Sequence, residues 1–367
     1  RIMAFAGTTE LHQEHKRKIS QVFSEVAKVV VGQDYMVNRL LAGLFTNGHI
    51  LLEGVPGLAK TLTISTLARV LHLDFQRIQF TPDLLPADLV GTMIYNQKDG
   101  KFEVKKGPIF ANIILADEIN RATPKTQSAL LEAMEEGKIT ADGSTHPLPE
   151  PFFVIATQNP SSQIGTFMLP ESQMDRFLMR LALGVPDRTA ERALLEGQER
   201  REMLRAMQPA MTFLELQQLQ TWTRAVYASP ALLDYLQDLL AASRVQGHGL
   251  SPRAGLSVLA AARAWALLSG RAMVLPEDIQ AVAVVVRAVA ALVQLALTGG
   301  LVADAGAAVG HLDDDAAVER DQARVPVQRA GAGQVLGAGR HVVAGAAGDL
   351  AVVAGDDHAE DAAEQRG

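Results

Sequence analysis

The run Gly54-Val55-Pro56-Gly57-Leu58-Ala59-Lys60-Thr61 has the residue types of a loop that holds phosphate. Its glycines let backbone N–H groups turn inward, a helix N-terminus behind them favours negative charge, and Lys60 supplies a point cation for the outer phosphates. The Thr61 hydroxyl suits Mg²⁺, and Leu62 opens the helix that follows. Ala59 stands where the usual pattern has glycine, and it is small enough for phosphates to pass. The candidate nucleotide-binding set is therefore Gly54, Val55, Pro56, Gly57, Leu58, Ala59, Lys60, Thr61 and Leu62.

A second constellation lies downstream. Ala111-Asn112-Ile113-Ile114-Leu115-Ala116 is an apolar run that ends in Asp117-Glu118. Such a run fits a strand buried on both faces of a parallel sheet, and open α/β sheets bind ligands at the carboxyl ends of their strands. There Asp117 can hold Mg²⁺ through water while Glu118 polarises the attacking water. Phe152 to Thr157 predicts another buried strand, which brings Asn159 to the same crevice to orient that water or touch the outer phosphate.

The elements that must position these groups are legible in order. A helix is expected over 11–31, and a second carries Met36, Val37, Leu40, Leu41 and Leu44 at helical spacing before the Asn47-Gly48 turn. The phosphate-loop strand starts at His49, and Asp74 to Phe80 alternates as a second strand. Residues 93–105 alternate around Asp99-Gly100, the signature of a β-hairpin, and 138–150 suggest another. Leu178 to Leu183 completes five strands. Beyond Asp187 only helices are expected, near 188–206, 212–227, 230–244, 251–269 and 276–290; Ser251-Pro252 and Pro276-Glu277 are helix starts.

The bulk numbers set bounds. The 367 residues suffice for two or three domains, and the 48% hydrophobic content is ample for buried cores. With no cysteine, disulfides and thiolate metal sites are excluded. A formal charge of -7 argues against general affinity for nucleic acid, and no apolar run is long enough to span a bilayer. No nucleic-acid partner, no membrane insertion and a cytoplasmic location are expected. His12 and His15 share a helix face without a third ligand in reach, so both are expected to be solvated.

Across roughly residues 20 to 285 the chain resembles the MoxR-family AAA+ ATPases, members of the helix-2-insert group. The resemblance is carried by Gly54 to Thr61 with its alanine before the lysine, by Leu115-Ala116-Asp117-Glu118-Ile119-Asn120-Arg121 continuing to Glu136, and by Ala156-Thr157-Gln158-Asn159-Pro160. Asp175-Arg176-Phe177 resembles the arginine-finger segment and Ser251-Pro252-Arg253 the sensor-2 segment. The hairpin at 93–105 looks like the group's insertion.

What the resemblance implies is a P-loop AAA+ core of α/β class, with a five-stranded parallel sheet, β-hairpin insertions and a C-terminal all-helical lid. The expected divisions are 1–186 for the core, 187–290 for the lid and 291–367 for a low-complexity tail. ATP and Mg²⁺ are the implied cofactors. Thr61 and Asp117 hold the metal, and Glu118, Asn159, Arg176 and Arg253 are the catalytic set. Arg176 would serve the neighbouring subunit of a ring, usually of six, and Arg253 would approach the γ-phosphate from its own subunit's lid. The implied activity is ATP-driven remodelling or maturation of a protein client, often one with a von Willebrand factor A domain. A helix-2-insert nucleic-acid motor and a chelatase-type motor subunit are the alternatives.

The tail departs from the family pattern. After Thr298 there is no isoleucine, phenylalanine, methionine, tyrosine, tryptophan, asparagine or lysine. So narrow an alphabet does not fill a specific core, and a disordered or frame-shifted end is expected. A family-like end in another frame of the gene would support the frame shift, and its absence would sink it.

Overall fold

The computed structural model describes residues 6–54, 60–96, 101–141, 144–159, 165–183, 188, 192, 200–245, 250–283, 285–286, 342–344 and 350–352. Helix α1 (Ala6–Val29) begins five residues before the spacing suggested and buries Ile19, Val22, Val26 and Val29. Helix α2 (Asp34–Phe45) is buried along Met36, Val37, Leu40, Leu41 and Leu44. It turns at Asn47 into β1 (His49–Glu53). That turn is tight: a Cβ on Gly48 would stand 2.7 Å from the Leu178 side chain.

The central sheet joins β1 to β2 (Phe75–Gln79), β5 (Ile113–Asp117), β8 (Phe153–Gln158) and β9 (Phe177–Ala182) in the order β2-β5-β8-β1-β9. All four pairings are parallel, with Gln79 opposite Asp117, Leu115 opposite Ile155 and Leu51 opposite Ala156. This is the five-stranded sheet that the sequence predicted. Because strand side chains alternate, each strand feeds two cores. Ile50, Leu52, Ile113, Leu115, Phe153 and Ile155 pack with α1, α2, the helix α3 (Lys60–Val70) and the lid. Leu51, Ile114, Ala116, Val154 and Ala156 pack on the other face with Leu130, Leu131 and Met134 of α5 (Pro124–Glu136).

Two hairpins interrupt the α/β alternation. After the short helix α4 (Pro86–Val90), β3 (Gly91–Asn96) pairs antiparallel with β4 (Lys101–Lys106). Its neck is closed by backbone contact, since a Cβ on Gly91, where φ is +100°, would meet the Lys105 carbonyl at 2.1 Å. Helix α5 ends at Gly137 in the left-handed region, and β6 (Lys138–Ala141) with β7 (Ser144–Pro147) forms the second hairpin. A four-residue helix α6 (Glu171–Met174) leads into β9.

The lid is helical, as expected: α7 (Arg200–Ala206), α8 (Phe213–Ala225), α9 (Pro230–Val245), α10 (Pro252–Leu268) and α11 (Pro276–Ala283). Ser251 caps α10 by accepting the Ala254 N–H at 3.1 Å, with Pro252 at the first helical position. Arg39 of α2 ties lid to core. Its guanidinium lies 4.1 Å from the Trp265 ring centroid and donates to the Ala281 carbonyl at 2.7 Å.

His15 corrects one expectation. It is buried, and its ring lies 5.2 Å from that of Trp222, so it is a packed histidine and not a solvated one. The His12 side chain, most of the predicted 188–206 helix and the 287–290 end of the last predicted helix lie outside the described residues, as does nearly all of the low-complexity tail. Within the tail, β10 (Val342–Ala344) pairs antiparallel with β11 (Leu350–Val352).

Candidate functional site

β1 delivers the phosphate loop. Glu53, its last residue, accepts hydrogen bonds from Gln158 Nε2 at the end of β8 and from Arg180 Nε of β9 at 2.5 Å. Three strand ends are thereby fixed where the loop departs. Gly54, Lys60, Thr61 and Leu62 are described, whereas Val55, Pro56, Gly57, Leu58 and Ala59 lie outside the described residues. Lys60 opens α3 and its Nζ donates to the Gly54 carbonyl at 3.1 Å, closing the loop's two ends on each other. Partial burial pulls the Lys60 ammonium below its usual pKa, while the charges of Asp117 and Glu118 act against that shift. Cation and both acids thus share one region at the carboxyl end of the sheet.

Asp117 ends β5, and its two oxygens are separately engaged. Oδ1 accepts from Thr157 Oγ1 at 2.6 Å, and Oδ2 accepts from Arg77, Nη2 at 2.5 Å and Nε at 3.0 Å. Glu118 follows in the left-handed region (φ 57°, ψ 48°), which breaks the strand's alternation. Its N–H donates to Thr157 Oγ1 at 2.9 Å, and its Oε2 accepts from Gln79 Nε2 and Arg121 Nη1, each at 3.0 Å. Asn159 comes two residues after Thr157, at the same edge.

The donor set suits Mg²⁺. A threonine hydroxyl and a carboxylate are hard oxygen ligands, of the kind that hold this ion together with phosphate oxygens and water. Among the described residues no cluster of three or more histidine or acidic side chains stands ready to hold a metal unaided.

Arg176 and Arg253 lie elsewhere. Arg176 precedes β9, and its Nη1 donates to the Leu131 carbonyl at 2.9 Å and pairs with Glu135. Arg253, in the first turn of α10, donates from Nη2 to the other Glu135 oxygen at 3.0 Å. Glu135 sits in the last turn of α5 beside Met134, whose carbonyl meets His49 Nε2 at 3.1 Å, at the start of β1. The two arginines border a cavity of about 260 Å³ together with Asn47, His49, Asp175 and Ser257.

This is the amino end of the sheet. β1 runs five residues from His49 to Glu53, so the phosphate loop begins roughly 13 Å further on. Arg253 is thus paired with Glu135 near the strand starts, whereas the resemblance implied an approach to its own subunit's γ-phosphate. Its lid helix begins over the strand starts, and its guanidinium is held there by Glu135.

The spacing of motifs missed four participants: Arg77, Gln79, Thr157 and Glu135. Arg77 and Gln79 alternate on β2, so they share a face, but only the sheet order reveals that β2 lies against β5. Thr157 stands within a recognised motif, two residues from Asn159.

Comparison with known proteins agrees with the fold. Residues 49–179 match the model described as ATPase family associated with various cellular activities (AAA), and residues 240–292 match an AAA lid domain. The Mycobacterium tuberculosis protein named Chaperone MoxR1 is 43% identical over 280 residues, covering 71% of this chain and 72% of that protein. YeaC of Bacillus subtilis, an uncharacterized protein, is 44% identical over 265 residues, covering 71% and 83%. A crystal structure from Cytophaga hutchinsonii, whose description proposes an ATPase, superposes with a TM-score of 0.71 at 46% identity, covering 76% of this chain and 88% of that one.

Proposed function

The chain belongs to the MoxR family of AAA+ ATPases, and from that premise we propose that it hydrolyses ATP in a ring of like subunits to remodel or mature a protein client. The observation that carries the proposal is the separation of the site's charges. Lys60, Asp117 and Glu118 gather at the carboxyl end of the sheet, whereas Arg176 and Arg253 are paired at its amino end. One subunit alone does not bring both sets to one phosphate.

In the proposed reaction Gly54 to Leu62 cradle the triphosphate, with Lys60 on its outer phosphates. Thr61 and Asp117 would hold Mg²⁺, which would offset charge on the phosphate oxygens. Glu118 polarises the attacking water and Asn159 orients it. Thr157 keeps the two acids at fixed separation, and Arg77 steadies the outer oxygen of Asp117. The neighbour's Arg176 then meets the charge that develops on the transferred phosphoryl group, with Arg253 beside it. Supplying that cation in trans makes hydrolysis depend on assembly.

A six-membered ring, a cytoplasmic location and a client bearing a von Willebrand factor A domain belong to the same proposal. So do the divisions 1–186, 187–290 and 291–367. The relative named as a chaperone supports the client reading, and among the described residues no helix is long and apolar enough to cross a membrane. The test is the dependence of ATP turnover per subunit on protein concentration. It should rise with assembly and then plateau; turnover per subunit that stays level down to the monomer would overturn the trans reading.

A further inference from the structure

We infer that Glu135 is a positioning residue that holds Arg176 and Arg253 as a single two-arginine unit aimed at the triphosphate of an adjoining subunit. The inference rests on the trans reading above and names what makes its cations act together.

Three groups from separate elements meet at this point. Glu135 ends α5, Arg176 precedes β9 in the core, and Arg253 starts α10 in the lid. Each guanidinium takes a different oxygen of the one carboxylate. Two like charges on long, flexible side chains would otherwise repel and disperse over many rotamers. The carboxylate removes both problems and leaves a net positive charge. Its own pKa is held below the usual carboxylate value, by the hydrogen bond from Arg253 first and by the charge of Arg176 next.

The unit also remains open to a ligand. The Arg253 side chain is 56% exposed and that of Arg176 30%, and both border the open cavity of about 260 Å³. Arg176 meets Glu135 and Leu131 through Nη1, and Arg253 meets Glu135 through Nη2. Planar forks of this kind match phosphate oxygens two at a time. Glu135 further ties the unit to the acids of its own subunit, because α5 begins three residues after the Ile119–Arg121 turn that carries Glu118 at its start. Since Arg253 belongs to the lid, the same carboxylate links the lid to the segment before β9.

The test uses the full chain with Glu135→Ala and the nearly isosteric Glu135→Gln, alongside Arg176→Ala and Arg253→Ala. Ring assembly is verified by mass and ATP binding is measured on dilute subunits. With assembly and ATP binding at parental levels, Glu135→Ala should lower kcat by about 10²-fold, the scale of a small misplacement of reacting groups, with KM for ATP unchanged. Glu135→Gln, which keeps an oxygen for one guanidinium, should fall between parent and alanine. It carries the test if the alanine variant does not assemble.

If Glu135→Ala turns over at or above the parental rate while Arg176→Ala is dead, positioning by Glu135 is wrong and the trans reading stands. A fall in kcat that only tracks loss of rings in both Glu135 variants also overturns it. If Arg176→Ala itself turns over normally, the trans reading fails first, and this inference falls with it.

Discussion

Thr157 donates to Asp117 at 2.6 Å from the neighbouring strand, and the same hydroxyl accepts the Glu118 N–H at 2.9 Å. One buried oxygen therefore sets the position of both acids. Thr157→Val preserves shape but removes the donor to Asp117 and leaves the Glu118 N–H unpaired. We expect a loss of about 1–3 kcal/mol in stability, the usual cost of an unsatisfied buried group. We also expect about ten-fold or more off kcat, because both acids lose their fixed position. Denaturant titration and steady-state ATP turnover check the two arms, and unchanged turnover would remove Thr157 from the site.

His49 gives the fold a pH dependence. Its ring is buried; Nδ1 accepts the Val154 N–H at 3.1 Å and Nε2 lies 3.1 Å from the Met134 carbonyl. Burial lowers its pKa from 6.5 to about 4, with the Met134 bond opposing. Between these values the unfolded chain binds the proton and the folded chain does not, so stability is fully present above 6.5 and falls as pH drops toward 4. The loss from roughly pH 7.5 to pH 5 should be about 2 kcal/mol. Urea unfolding at the two pH values measures it, and His49→Gln should flatten the profile. An equal slope in parent and variant would contradict this assignment.

Lys60→Ala and Glu118→Gln should separate binding from chemistry. The first removes the ammonium proposed for the outer phosphates, so nucleotide binding should largely disappear. The second nearly keeps size but loses the carboxylate proposed to polarise water, so ATP should bind and persist uncleaved. Equilibrium binding of a fluorescent ATP analogue and phosphate release check the pair. Parental turnover by Glu118→Gln would overturn the roles given to Asp117 and Glu118.

Much of this molecule is legible in its sequence because the sheet is parallel and covered on both sides. β5 and β8 read as unbroken apolar runs, and a polar residue at their carboxyl ends then marks the crevice. What spacing does not carry is which end of the sheet a distant element reaches. Arg253 is recognisable by its motif, yet its partner Glu135 lies 118 residues earlier and is found only once α5 and α10 are packed. Arg77 and Gln79 meet the acids 40 and 39 residues on, through a strand order in which β2 neighbours β5. His15 reads as polar by its neighbours and is buried by Trp222, an aromatic of the lid.

We propose that one subunit's arginines complete the next subunit's site. Arg176→Ala subunits keep Lys60, Asp117 and Glu118, whereas Glu118→Gln subunits keep Arg176 and Arg253. Each variant alone should be nearly inactive, since an arginine finger contributes about 10³-fold or more. Mixed in one ring, the Glu118→Gln subunit offers its arginine to the intact acids of an Arg176→Ala neighbour. The measurement is ATP turnover of a mixture shown by mass to contain both subunits in the same ring. Recovery of a substantial fraction of the parental rate is the predicted result, and a verified mixed ring that stays as inactive as its components would contradict it.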